Sequence, residues 1–270
     1  MSGGLGDRLS GRVTVLGVPV WYAEHGRGDP LVALHPGGVD SRAWQPNLPV
    51  LSRRFRVFTP DRSGHGRTPD TDGPFSYGGM AEETIAFIEE LQLGPVHLVG
   101  ASDGATVALI VALQRPDLVR KFAFVAGVFD RRGWHPSAVA DVPPPAWFVD
   151  AYAEVSPDGR EHYPVVAAKL QRMHHEEPAL RTSDLRAVRC RTLIMVGDDD
   201  EVELEHAVEM YRALPDAELA VVPGTSHGLL VEKPDLCGQM IVDFLAHDPV
   251  PTLAPIRRGG AAVEPGGSGE

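Results

Sequence analysis

Short apolar runs punctuate the chain at regular intervals. They occupy residues 12–15, 18–23, 31–34, 55–58, 96–99, 122–125, 193–196 and 219–222. Each is four to six residues long and most end at glycine or proline, which marks strands buried in a core. The first two flank a turn at Gly17. Between the runs the period changes. Residues 79–92 place Met80, Ile85, Phe87, Ile88 and Leu91 at near-helical spacing, with Glu82, Glu83, Glu89 and Glu90 mostly off that stripe. Further helices are predicted from residue 102 to about 114 and over 228–246. Strands alternating with helices predict an α/β fold: a mainly parallel sheet covered on both faces.

One stretch interrupts this rhythm. Residues 130–187 carry no strand signal but hold Trp134, the run Pro143-Pro144-Pro145 and two helical segments. The second puts Tyr163, Val166, Leu170 and Met173 on one face. The expectation is an inserted helical lid, the alternative an ordinary pair of surface helices. The remaining divisions are a flexible N-terminus over 1–11, a core over 12–129 and 188–246, and a Pro/Gly-rich disordered tail over 247–270.

Composition narrows the function classes. The 270 residues are 43% hydrophobic and carry a net charge of −12. Such an acidic chain has no general attraction for phosphate backbones or anionic membrane surfaces, so neither nucleic acid nor membrane is expected as a partner. The longest apolar stretch, near 107–113, falls far short of the roughly 20 residues a membrane span needs. The N-terminus lacks a basic head and an apolar segment, so no secretory signal is visible. Cys190 and Cys237 are too few for a disulfide framework and are expected as buried thiols. A soluble, cytoplasmic, enzyme-sized protein acting on a small molecule is the expectation.

The sharpest chemical signal is Gly100-Ala101-Ser102-Asp103-Gly104. Alone, Gly-x-Ser-x-Gly is weak. Here a buried strand precedes it and an apolar helix follows. A tight strand-to-helix turn leaves the hydroxyl exposed, and small residues two places to either side let strand and helix approach closely. The new helix then aims its free N–H groups at the reacting atoms.

With this motif the chain resembles the α/β-hydrolase family, in its serine-nucleophile branch, over about residues 12–246. The resemblance implies an eight-stranded, mostly parallel sheet flanked by helices, with an inserted lid. It implies the order serine, acid, histidine along the chain. Gly197-Asp198-Asp199-Asp200 resembles the acid loop, whose spacing selects Asp200 over its neighbours Asp198 and Asp199; a further rival is Asp130, because some relatives place the acid after the sixth strand. Pro223-Gly224-Thr225-Ser226-His227-Gly228 resembles the histidine loop and selects His227. His35-Pro36-Gly37-Gly38 resembles the oxyanion loop, so Gly37 and Asp103 are the expected backbone donors, with Gly38 next in line. Pro36 has no N–H and cannot donate.

Asp103 departs from the family pattern, and its carboxylate lies near developing negative charge. Its first-turn position near the helix dipole is the preferred account. The other is that it faces the substrate entrance or bonds a neighbouring loop. Asp61-Arg62-Ser63-Gly64-His65-Gly66-Arg67-Thr68 matches a structural loop of the family. Met173-His174-His175-Glu176-Glu177 reads as a polar lid face, because adjacent histidines on a helix point about 100° apart and chelate poorly together.

The resemblance implies hydrolysis of a small carboxylic ester or lactone through Ser102, His227 and Asp200, with no cofactor and no metal. Trp134, Trp147, Phe148, Tyr152 and Met173 are expected to wall an apolar acyl pocket. Carbon–carbon hydrolysis, thioester hydrolysis, perhydrolysis and hydroxynitrile cleavage could use the same triad, and a non-catalytic receptor could keep it.

Overall fold

A computed structural model describes residues 9–138, 144–249 and 252–256. The segment before residue 9, Pro143 of the proline run and the tail beyond 256 lie outside the described residues.

The apolar runs become eight strands: β1 (Leu9–Val15), β2 (Val18–His25), β3 (Asp29–Leu34), β4 (Phe55–Pro60), β5 (Val96–Ala101), β6 (Val119–Val125), β7 (Arg191–Gly197) and β8 (Ala217–Val222). They form one sheet in the order β1-β2-β4-β3-β5-β6-β7-β8. β1 and β2 pair antiparallel, as do β2 and β4, and all other neighbours are parallel. β1 starts earlier than its apolar run, at Leu9 rather than residue 12. Its pairing with the longer β2, from Leu9 opposite Glu24 to Val15 opposite Val18, takes in residues 9–11 of the segment expected to be flexible. Backbone ladder bonds extend the strand where side chains give no signal.

The helices are α1 (Leu48–Leu51), α2 (Tyr77–Glu90), α3 (Asp103–Gln114), α4 (Ala146–Ala153), α5 (Tyr163–Glu176), α6 (Thr182–Leu185), α7 (Leu204–Ala213), α8 (Leu229–Glu232) and α9 (Pro234–Ala246). Alternate residues of each central strand face opposite sides of the sheet. Val32, Leu98, Phe122, Phe124 and Ile194 pack with α2, α3 and α7, while Leu31, Val99, Ala123, Val125 and Leu193 pack with α1, α8 and α9. Pro234 sits at the first turn of α9, where its missing N–H costs nothing, and splits the single helix expected over 228–246 into α8 and α9.

The 130–187 segment carries α4, α5 and α6 and no strand among the described residues. Tyr163, Val166, Leu170 and Met173 of α5 are all buried in the larger core cluster. Arg42 ties α4 to the sheet end, donating to Asp40, to Glu154 at 2.6 Å and to the Ala151 carbonyl. Among the described residues, no helix is long and apolar enough to cross a membrane.

Candidate active site

Ser102 joins β5 to α3 with φ 54° and ψ −121°, a conformation L residues avoid. The turn is held because two glycines allow close approach on both sides. A Cβ on Gly100 would collide with the Gly104 carbonyl, and one on Gly104 with the Leu34 carbonyl. Backbone bonds from Ser102 N to Val125 O (2.9 Å) and from Ala105 N to Ser102 O (2.9 Å) fix the turn from strand and helix.

Two further loops converge on the hydroxyl. Nε2 of His227, in the loop after β8, lies 3.1 Å from Ser102 Oγ. Its Nδ1 lies 2.8 Å from Oδ1 of Asp200, in the loop after β7. The Asp200 carboxylate also accepts from Gly197 N at 2.9 Å and Val202 N at 3.1 Å. Burial pushes the Asp200 carboxyl up, but its bond with His227 and these backbone donors hold it below the usual range. Burial likewise opposes charge on His227. The bond to Asp200 and that carboxylate's charge outweigh it and raise the imidazole above 6.5.

The rival acids are engaged elsewhere. Asp130 pairs with Arg132 at 2.7 Å. It lines a separate groove of about 450 Å³ with Phe129, His206 and three glutamates, Glu203, Glu205 and Glu209. Asp198 accepts from Thr225 N at 3.1 Å, which braces the histidine loop rather than its imidazole.

The loop after β3 brings Gly37 to the start of α3, where the helix's first N–H groups are free. His35 and Arg62 shape it. Arg62, 2% exposed, donates to the His35 carbonyl at 2.6 Å and the Pro36 carbonyl at 3.1 Å, and its backbone N–H donates to His35 Nε2 at 3.1 Å. Burial first, then the charges of Arg62 and His65, push the His35 imidazole well below its usual range, so it stays neutral. The Asp61–Thr68 stretch thus braces this loop, in keeping with its structural assignment.

Ser102 opens into a cavity of about 90 Å³ lined by Gly37, Asp103, Trp134, Ala138, His174, Glu201 and His227. Of the five residues expected to wall an apolar pocket, only Trp134 lines it, its indole edge-on to His227 at 5.6 Å. Trp147 is 59% exposed and packs on Phe148 with the rings tilted. Phe148 packs near Gly38, Tyr152 against Tyr163, and Met173 points into the core. The reason is geometric. The stripe of α5 that holds Met173 buries against the core, which leaves the neighbouring polar stripe to face the cavity.

That stripe brings the residue the sequence argument passed over. His174 Nε2 lies 2.9 and 3.0 Å from the two carboxylate oxygens of Asp103, and Tyr77 Oη donates to the same carboxylate at 2.6 Å. Asp103 is therefore no solvated first-turn acid. It holds the expected first-turn place in α3, but it is 1% exposed and also bonded to α2 and α5 beside the cavity, which the dipole alone does not explain. Among the described residues, no group of three or more His, Cys, Asp or Glu is arranged to hold a metal.

The strand order, the strained serine and the converging loops can be set beside known proteins. Residues 31–238, well over half the chain, match the model of the alpha/beta hydrolase family. The chain belongs to the alpha/beta hydrolase family. It is 25% identical over 248 residues to the (E)-2-((N-methylformamido)methylene)succinate hydrolase of Acinetobacter baylyi, covering 84% of this chain and 94% of that one. It is 29% identical over 258 residues to the serine hydrolase BPHL of Mus musculus, covering 87% and 86%. In fold it is similar to the enol-lactonase from Burkholderia xenovorans LB400, with a TM-score of 0.72 at 20% identity, covering 87% of this chain and 100% of that one.

Proposed function

We propose that this alpha/beta hydrolase is a serine esterase or lactonase that cleaves a small carboxylic ester through an acyl-enzyme. The reading rests on one observation: an unbroken hydrogen-bonded chain from Ser102 through His227 to Asp200, set on a strained strand-to-helix turn. Ser102 Oγ attacks the carbonyl carbon while His227 Nε2 takes its proton. Asp200 holds the Nδ1–H and stabilises the imidazolium. The Gly37 and Asp103 N–H groups receive the oxyanion. His227 then protonates the leaving alkoxide, and collapse of the tetrahedral intermediate leaves an acyl-serine. Water, deprotonated by His227, attacks that ester and releases the acid and free Ser102.

A serine at this turn favours acyl transfer over mechanisms that build an ester on an enzyme carboxylate. Likeness to a named serine hydrolase, and in fold to a named enol-lactonase, supports the same reading. The 130–187 segment, which brings Trp134 and His174 to the cavity, acts as its cover. Hydrolysis of p-nitrophenyl acetate and butyrate by the wild type and by Ser102→Ala tests the proposal. Turnover lost in a folded Ser102→Ala variant is the expected result. Equal rates in both would overturn it.

A further inference from the structure

A carboxylate beside an oxyanion hole poses an electrostatic problem. Asp103 supplies one oxyanion donor through its backbone, and its side chain reaches the other: a Cβ on Gly37 would collide with Asp103 Oδ2. Both donor segments therefore touch one carboxylate. Left bare, that charge would raise the energy of the oxyanion it adjoins.

The carboxylate is not bare. Tyr77 Oη donates to it without charge. Arg62 adds positive potential from behind, but its guanidinium donates to the His35 and Pro36 carbonyls. Among the described residues, His174 is the titratable cation whose nitrogen touches the carboxylate, reaching both oxygens. Its side chain is 32% exposed at the cavity wall, so solvent can exchange its proton.

We propose that His174, as an imidazolium, is a positioning residue that cancels the Asp103 charge beside the oxyanion hole. Ester hydrolysis then requires a protonated His174 together with a neutral His227. The inference rests on the serine-hydrolase reading above. The groups facing His174 are Asp103 and Tyr77, Arg62 behind the carboxylate, Glu201 and His227 across the cavity, and Glu177, whose carboxylate accepts from Tyr77 N at 2.9 Å. Burial opposes charge on His174, but the Asp103 charge and hydrogen bond raise it above 6.5. Burial would also push the Asp103 carboxyl up, yet the charge and bond of His174, the Tyr77 bond and Arg62 hold it well below the usual range. Both directions favour the ion pair, which loses its cation as pH rises through the His174 pKa.

The test compares wild type, His174→Gln, Asp103→Asn and the double variant from pH 5 to 9.5. Two rates are read: p-nitrophenyl acetate hydrolysis, and phosphonylation of Ser102 by an alkyl fluorophosphonate, which places its developing negative oxygen in the same hole. Wild type should show an alkaline fall as well as an acid one. Glutamine keeps a donor to Asp103 without the charge. Its kcat should drop roughly tenfold to a hundredfold, less than the loss of a whole oxyanion donor, with KM within about threefold. The alkaline fall should vanish with it. Asp103→Asn added to His174→Gln should recover at least about tenfold, because the uncompensated charge is gone. A structural role for His174 predicts no such recovery.

A wild-type rate flat to pH 9.5, a His174→Gln kcat equal to wild type, or no recovery in a folded double variant would overturn the proposal. If His174→Gln fails to fold, the wild-type alkaline fall and its absence in Asp103→Asn decide the matter. A wild type that neither hydrolyses the ester nor is phosphonylated overturns the serine-hydrolase reading, and this inference with it. A phosphonylated wild type with an unaffected His174→Gln overturns this inference alone.

Discussion

Nδ1 of His227 lies 2.8 Å from Oδ1 of an Asp200 whose side chain is fully shielded from solvent. That contact sets both the tautomer and the basicity of the imidazole. With Nδ1 donating to Asp200, Nε2 is left as the acceptor facing Ser102.

The acid side of the rate profile follows from this pair. Burial lowers the His227 pKa, but Asp200 outweighs it and the net shift is upward from 6.5. The base must be neutral, so on the acid side activity is lost as pH falls through the folded pKa. The kcat/KM for p-nitrophenyl acetate is expected to fall on the acid side with a midpoint above 6.5. A rate unchanged from pH 8 to 5 would exclude His227 as the base.

Substituting the acids one at a time separates their roles. Asp200→Asn keeps the shape but removes the charge and allows the wrong imidazole tautomer, so kcat should fall by about three to four powers of ten. Asp130→Asn breaks only the Arg132 pair, a partner 82% exposed, and kcat should stay within about threefold. Steady-state kinetics on the two variants checks this. The reverse ranking would make Asp130 the triad acid.

Much of this arrangement was legible in the residues, because the strands are apolar runs cut by glycine and proline. The three loops bearing Ser102, Asp200 and His227 each follow such a run, so their convergence at one sheet edge follows from parallel strands. Helix α7 is absent from the elements predicted above although Leu204, Ala207, Val208 and Tyr211 stand at helical spacing: its buried positions are His206, Ala207 and Met210, and its one leucine, Leu204, is 37% exposed. The cavity wall was harder still. Which stripe of α5 faces Ser102 depends on how the 130–187 segment docks, and that is a long-range fact. Met173 and His174 are neighbours in sequence, yet one enters the core and the other the site. The apolar reading chose Met173 because hydrophobicity signals burial, not which burial.

Packing at the nucleophile turn can be tested through stability. A methyl on Gly104 meets the Leu34 and His35 backbone carbonyls, atoms that cannot rotate away. Gly104→Ala should destabilise the fold by roughly 3 kcal/mol, at the upper end of overpacking costs. Gly73→Ala, where a Cβ meets nothing within 4 Å, serves as the control and should shift the melting temperature little. Equal melting curves for the two variants would mean that strand and helix do not need this close approach.

The size and polarity of the cavity predict which acyl groups are accepted. About 90 Å³ is available at Ser102, and His174, Glu201, His227 and Asp103 make much of its wall polar. An acetyl group places one methyl there. A hexanoyl group adds four methylenes that must either desolvate charged side chains or displace the packed α5 stripe of Tyr163, Val166, Leu170 and Met173. Each methylene in a matched apolar pocket would instead improve kcat/KM severalfold. The expected order is therefore acetate first, with kcat/KM falling at least about tenfold from p-nitrophenyl acetate to the hexanoate. Should the rate rise steadily with chain length, the acyl chain must lie against Trp147 and Phe148 rather than in the cavity at Ser102. Trp147→Ala would then remove that rise.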